Sequence, residues 1–404
     1  MRRTSLILLL VSEVAAMSTW FATNASLAAI RAHVPLTAFH EALLTNSVQA
    51  GFVLGTLASA LLTLPDRFDL RRLFSAGAAI AAVANLGILF CEPASPTVPL
   101  LRLVTGACMA AVYPVGMKLA ATWAAGDLGL LIGLLVAALT LGSAFPHLIA
   151  VAATGLDWRW PVGVAASGAA LAAILIRFAR LGPNLPAPAS LRLANASEAW
   201  RNRGVRLANL GYFGHMWELY AMWAWIGAFL AASLQARYAD QPPIPAELAA
   251  FLVVGAGAIG ALGGGWMADR FGRAIVTMVA MGVSGLCAAS IGLLFGGPAW
   301  AVLMVSLVWG ISVVADSAQF SAAVVGLSAP SLVGTMLTVQ TCAGFLLTVV
   351  SIQLTPIVVG AVGWRYAFAF LAIGPILGII AMDRLRRVTR RPGIVPATVQ
   401  SPPR

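Results

Sequence analysis

The chain has 404 residues; 60% are hydrophobic, 10% are charged, and the mean hydropathy is +0.91. Soluble domains carry about 25% charged residues, and no aqueous core of this length could hide so much apolar surface, so a soluble globular class is excluded and a lipid bilayer takes the place of water. A net charge of +11 is common in nucleic-acid binders, but the 24 Arg and the single Lys118 sit in short patches between apolar stretches, not along one amphipathic face, so nucleic acid is excluded as a partner.

At the N-terminus, Arg2 and Arg3 followed by apolar residues 6–11 have the shape of a signal peptide. The apolar stretch runs on to about Ile30, however, too long for a signal core, and it reads as a first span. A span needs about 20 apolar residues. Twelve such stretches follow one another, near 5–30, 42–64, 73–91, 98–121, 128–154, 160–181, 205–235, 247–268, 274–296, 299–325, 332–360 and 365–383. Continuous apolar runs of this length are helices, because a helix satisfies its own backbone in hydrocarbon. The expected fold is therefore an all-α membrane protein with twelve transmembrane helices.

Residues 182–204 hold Pro183, Pro186 and Pro188 and then a polar, Arg-bearing run. They read as a linker between an N-terminal half, 1–181, and a C-terminal half, 205–384, each of six helices. The Arg- and Pro-rich tail, 385–404, reads as disordered. With this span order, 20 basic residues fall on the side of the termini and five (Arg31, Arg102, Arg159, Arg237, Arg365) on the other. The positive-inside rule then puts both termini in the cytoplasm, in a multi-pass protein of the inner membrane.

The halves repeat. Glu13, Met17 and Trp20 in the first stretch match Glu218, Met222 and Trp225 in the seventh. Asp66-Arg67-Phe68 matches Asp269-Arg270-Phe271, and Trp158-Arg159-Trp160 matches Trp364-Arg365-Tyr366. Three matches in order at an offset near 202–206 residues indicate a parallel repeat about an axis along the membrane normal.

The segment Gly265-Trp-Met-Ala-Asp269-Arg270-Phe-Gly272-Arg273 resembles the signature loop of the major facilitator superfamily, G-x-x-x-D-R-x-G-R. Its first-half copy, Asp66-Arg67-Phe-Asp69-Leu-Arg71-Arg72, has Leu62 and Asp69 where glycines are usual. That is a departure, since in the family the first copy is often the better kept. Arg102-x-x-x-Gly106 resembles the family's second motif, whose buried Arg is associated with proton coupling. The antiporter motif is poor: Gly133 and Gly142 have its spacing, but Pro146 sits one place early. The resemblance implies two pseudo-symmetric six-helix bundles around a central cavity lined by spans 1, 4, 7 and 10, and transport as the activity. It also implies that the Asp–Arg loops act as a gate. Each Arg alone reads as a solvated positive-inside residue, whereas Asp269 and Gly272 together read as part of the gate.

Ionisable residues inside a span cost about 2.5–3.5 kcal/mol each and usually face a cavity. Glu13, Met17, Trp20 and Asn24 share one helix face, as do His215, Glu218, Met222 and Trp225, and Ser312, Asp316 and Gln319. Glu13, Glu218, Asp316 and Arg102 are the candidates for proton coupling; for Glu13 the alternative is a packing role with Asn46 or Gln49. The cavity candidates are Trp20, Asn24, Tyr113, His147, His215, Tyr220, Met222, Trp225, Gln319 and Gln340. The gating candidates are Asp66, Arg67, Arg71, Gly265, Asp269, Arg270, Gly272 and Arg273. Lys118, near a helix end, reads as a snorkelling residue.

No nucleophile–base pair, metal-ligand spacing or phosphate loop stands out, the four Cys lack CxxC spacing, and Gly263-Gly264-Gly265 reads as helix packing. An enzyme, a cofactor and a resident metal are not expected, and the protein reads as a monomer. The leading expectation is a proton-coupled carrier that imports a small organic solute, a symporter. Drug or metabolite efflux by proton exchange is a second reading, suited by the aromatic residues. Soft-metal transport is a third, on His215, Met216, Met222 and Met17.

Overall fold

A computed structural model describes residues 1–153, 155–184, 193–239 and 241–389. Among them the regular elements are helices, with no strands. The tail beyond 389 and residues 185–192 of the linker, with Arg192, lie outside the described residues.

The first apolar stretch does not form one helix. It divides into α1 (Arg2–Met17), α2 (Ala22–Ala25) and α3 (Leu27–His33). It is followed by α4 (Ala38–Leu61), α5 (Leu70–Ile88), α6 (Thr97–Met109), α7 (Tyr113–Ala121), α8 (Leu128–Ala152) and α9 (Arg159–Leu175). The later part of the chain holds α10 (Arg203–Tyr238), α11 (Ala246–Phe271), α12 (Arg273–Ser290), α13 (Ala299–Ala315), α14 (Ser317–Leu327), α15 (Val333–Val362) and α16 (Ile373–Thr389).

Nine helical segments among the described residues are long and apolar enough to cross a membrane; α6–α7 and α13–α14 each count as one. The three stretches expected near 5–30, 42–64 and 73–91 are helical but fall short of that standard. α1 stops after 16 residues. α4 carries Thr45, Asn46, Ser47 and Gln49 in its interior, and α5 opens on Arg71 and Arg72. The protein is thus an all-helical, multi-pass membrane protein.

The breaks have separate causes. The turn between α6 and α7 precedes Pro114, which lacks an N–H and is tolerated in a first helical turn. The break between α13 and α14 falls on Asp316. The break after Met17 involves neither Pro nor Gly, since it runs through Ser18, Thr19, Trp20 and Phe21. There the backbone carbonyls of Thr19 and Trp20 leave the helical ladder and take donors from elsewhere. By contrast α10 runs unbroken for 36 residues, started by Asn202, whose side chain accepts from Gly204 N at 2.9 Å and Val205 N at 3.2 Å.

Packing repeats as the sequence does. Gly106 of α6 lies directly on the backbone of Val48 in α4, and Gly310 of α13 lies on that of Val253 in α11; a Cβ at either glycine would collide. Glycine here permits backbone-to-backbone approach, the usual device where no hydrophobic effect drives helices together. Across the two parts of the chain, α8 packs on α11 and α4 on α15.

One end of the bundle gathers Arg2, Asp66, Lys118 and Asp127. Arg2 pairs with Asp127, and Lys118 pairs with Asp66. Lys118 Nζ also donates to Pro65 O at 3.2 Å, so this lysine is an ion-pair partner and not a free snorkelling cation. The opposite end carries Arg31, Glu41, Glu247 and Trp364.

Candidate functional site

A cavity of about 540 Å³ opens toward that opposite end. Asn24, His147 and Trp225 reach it from inside, and Arg31, Glu41, Gln235, Glu247 and Trp364 stand nearer its rim. Its volume lies within the range of small-molecule sites. At the rim Arg31 grips Glu41 with Nε–Oε1 at 2.5 Å and Nη2–Oε2 at 2.6 Å. Asn24 exchanges hydrogen bonds with Thr45 and donates to Ala224 O at 3.4 Å, linking α2 to α10. The Trp225 indole donates to Ile352 O at 3.0 Å, which fixes its ring. Nearby, Asn46 donates to Gln353 Oε1 at 2.9 Å, joining α4 to α15.

An aromatic cluster lies between the parts of the chain next to this cavity. Trp20 meets Phe52, Tyr220 and Phe345 with ring centroids 5.2, 5.9 and 5.9 Å apart. Phe52 and Phe345 are 4.4 Å apart, Tyr220 and Trp223 5.4 Å. Such separations suit tilted and edge-to-face pairing. The cluster is buried and joins α4 and the α1–α2 break to α10 and α15.

Arg102 is fully buried. It donates from Nη1 to Thr19 O at 2.6 Å, from Nη2 to Trp20 O, and from Nε to Leu44 O at 3.2 Å; Asn85 Oδ1 lies 3.4 Å from Nη1. Its five fixed donors thus supply the carbonyls that the break after Met17 releases. The residue 204 positions on, in register with the Gly106 and Gly310 contacts, is Ser306, buried in α13 with no hydrogen-bond partner for Oγ among the described residues. It faces no such break, because α10 is continuous.

The two repeat-related acids differ in surroundings. Glu218 Oε2 accepts from Ser284 Oγ at 2.8 Å and its Oε1 from Trp309 Nε1 at 2.7 Å. Glu13 is fully buried, and neither of its carboxyl oxygens has a hydrogen-bond partner among the described residues. Its Oε2 lies over Gly116 of α7, where any side chain would collide with it. The neighbours suggested by sequence do not hold it: Asn46 bonds Gln353, and neither side-chain polar atom of Gln49 has a partner. Neither acid lines the cavity in this conformation.

At the α13–α14 break, Asp316 Oδ1 lies 2.9 Å from His215 Nδ1, and Ser317 Oγ lies 3.1 Å from His215 Nε2. The ring thus lies between Asp316 and Ser317, and Asp316 Oδ1 makes no hydrogen bond among the described residues. Met222 and Met17 are fully buried in packing. Gln340 accepts from Ser321 at 3.3 Å, Gln319 is buried in α14, and Tyr113 opens α7.

The two signature-loop copies reverse the order their sequences suggest. In the first, Asp69 caps α5, accepting from Arg71 N at 2.9 Å and Arg72 N at 3.3 Å. Arg71 Nη2 pairs with Asp69 Oδ2 at 2.7 Å and Nη1 donates to Ala179 O at 3.3 Å. Arg71 beside it holds the Asp69 carboxyl down at about 2. Asp66 takes Lys118, while Arg67 forms no ion pair among the described residues. In the second copy, Asp269 forms no ion pair among the described residues. Arg270 lies 5.9 Å from the Phe271 ring, Arg273 donates to Ala322 O at 3.2 Å, and Gly265 faces open space. Gly272 has φ +88° and ψ 143°, a conformation essentially confined to glycine.

Of the expected cavity residues, Asn24, His147 and Trp225 line the cavity, and Trp20 and Tyr220 belong to the adjoining cluster. Sequence reasoning missed Arg31, Glu41 and Glu247 at the rim, Phe52 and Phe345 in the cluster, and the Ser284 and Trp309 donors. An acid or base near the end of an apolar stretch was the available signal for the rim residues. Nothing local marked the donors.

The family described as Major Facilitator Superfamily matches residues 8–239, more than half of the chain. Among curated proteins none matches by sequence. Among solved structures, a crystal structure of a mutant of the nucleoside transporter NupG is similar at TM-score 0.70 and 12% identity, covering 94% of this chain and 99% of that one. At that identity the likeness concerns the fold.

Proposed function

Because the chain belongs to the major facilitator superfamily, a family of transporters and not of enzymes, we propose that it moves a small organic solute by alternating access, coupled to protons, with import as the favoured direction. The observation that carries this reading is the cavity of about 540 Å³, open at one end of the bundle and lined inside by Asn24, His147 and Trp225. In the proposed architecture twelve spans form two six-helix halves, 1–181 and 205–384, with 182–204 as linker. The Arg-rich end and both termini face the cytoplasm of an inner membrane, and the monomer is the working unit. The cavity then faces outward.

The proton would reside on Glu13. A charge there would have no donor to compensate it, and a bound proton removes that cost. Glu218 already holds two donors, which suits a permanent bracing role. The poor antiporter motif supports import. The aromatic cluster favours efflux of an aromatic solute as a second reading, and conferred drug resistance on expression would select it. The relative's printed name makes nucleosides sensible first ligands in a thermal-shift screen.

Alternating access is tested by spin labels at Ala38 and Gln241, at the open end, and at Phe68 and Phe271, at the other. The expected result is two populations in each pair, with the first distance shortening as the second lengthens on changing pH. A single unchanging distance in both pairs under all pH values and ligands would refute the proposal.

A further inference from the structure

A second hollow, of about 400 Å³, lies at the Arg-rich end, between the start of α12 and the ends of α14 and α16. Leu327, Met382 and Leu385 give it an apolar floor, Arg273 and Arg386 flank it, and Thr389 adds a hydroxyl. No acid lines it. Asp383, one turn away on α16, is taken by Arg387 at 2.6 Å, and Arg386 forms no ion pair among the described residues. Two cationic side chains over an apolar floor, without a carboxylate, call for an anionic partner that also carries hydrocarbon.

The molecule's own repeat says what this position holds elsewhere. Gly272 stands 203 residues after Asp69, in the register that aligns Asp66 with Asp269. In the first copy the Asp69 carboxylate sits at the start of α5, taking two backbone N–H groups and the Arg71 guanidinium. In the second copy α12 starts without a side-chain cap and with no acid in its first turn. A carboxylate cannot be supplied there by substitution without strain, because the Gly272 backbone lies in the glycine region. The second half thus has no side-chain carboxylate at the helix start where the first half has Asp69.

We propose that this hollow binds the phosphate of an anionic phospholipid, with Arg273 and Arg386 as its charge partners and the acyl chains running along the floor. The apolar floor favours a lipid over free phosphate, which would leave Leu327, Met382 and Leu385 unused. The position, at the ends of three helices, is where headgroups lie, and basic pockets between helix ends are established headgroup sites in other membrane proteins. Phe271 beside it is 53% exposed, as suits a residue at the lipid boundary.

The test is the thermal unfolding of the full chain, delipidated in neutral detergent, against short-chain phosphatidylglycerol, phosphatidylcholine and inorganic phosphate. Phosphatidylglycerol is expected to raise the midpoint by several degrees, and the other two to leave it unmoved. The double variant Arg273→Gln with Arg386→Gln is expected to weaken the apparent phosphatidylglycerol affinity by about tenfold or more, as loss of two charged hydrogen bonds requires. Arg177→Gln, an exposed Arg of the first half, should bind like wild type. If the double variant does not fold, Arg386→Gln alone carries the test, since that side chain makes no hydrogen bond among the described residues. An equal response in the variants and in wild type overturns the proposal. So does an equal shift with inorganic phosphate, which would make this a free-phosphate site, or an equal loss in Arg177→Gln, which would reduce the effect to overall charge.

Discussion

Glu13 and Glu218 occupy matching places in the repeat yet live in opposite circumstances. The second is held by an indole and a hydroxyl, one on each oxygen. The first is just as buried and has no donor among the described residues, and its Oε2 lies against Gly116. The same contrast recurs around them. The first half breaks its opening span and braces the break with Arg102, whereas the second half keeps α10 whole and has Ser306 at the matching place. A repeat therefore conserves position, while role follows from what the neighbouring helices present to that position.

The comparison breaks most sharply at Arg102. Arg102→Met is expected to cost about 3–5 kcal/mol, because it leaves the carbonyls of Thr19 and Trp20, which lie outside any helical ladder, in hydrocarbon without donors. It would show as loss of folded protein on size-exclusion chromatography in detergent. Ser306→Ala at the matching place should change stability by less than about 0.5 kcal/mol, since its hydroxyl bonds nothing. Similar losses in both variants would contradict the bracing role.

Next in size come the acids. Glu218→Leu should destabilise by about 1–3 kcal/mol by stranding the Trp309 N–H and the Ser284 hydroxyl. Glu13→Gln should be nearly neutral in thermal unfolding, because no donor loses its acceptor. The reverse order of costs would undo the contrast between the two sites.

The smallest effect concerns the loops. Asp69→Ala should cost about 1 kcal/mol, the usual worth of a helix cap, whereas Gly265→Ala, inside α11 with open space around it, should stabilise by about 0.5–1 kcal/mol. The sign with pH follows from the lowered Asp69 carboxyl. Its contribution is fully present above the ordinary carboxylate range and fades as pH falls through about 2. Unfolding midpoints of wild type and Asp69→Ala should therefore differ at neutral pH and draw together in strong acid.

Much of the fold was legible in the sequence because hydrocarbon demands long apolar helices, and those leave a signal that needs no partner to be read. The repeat and the buried acids were legible for the same reason: a charge in an apolar run stands out. The break after Met17 was not, since no Pro or Gly marks it and only the reach of Arg102 from α6 makes it tolerable. Nor were the donors to Glu218, because Ser284 and Trp309 lie 66 and 91 residues away and meet it only through helix packing. Asp316 stands out in the sequence as a proton-coupling candidate, but its place at the head of α14 beside His215 appears only when α10 and α14 are packed together. The loops misled because a full motif suggests a full set of contacts, whereas the degenerate copy, with Asp69 in place of glycine, is the one that makes ion pairs.

The central claim is that Glu13 holds the proton and Glu218 is a brace. Difference infrared spectroscopy across a pH jump reads it without a known substrate, through the carbonyl stretch of protonated carboxylic acids. Wild type and Glu218→Gln should both show the band, and Glu13→Gln should lose it. A band that survives in Glu13→Gln and vanishes in Glu218→Gln would contradict the account.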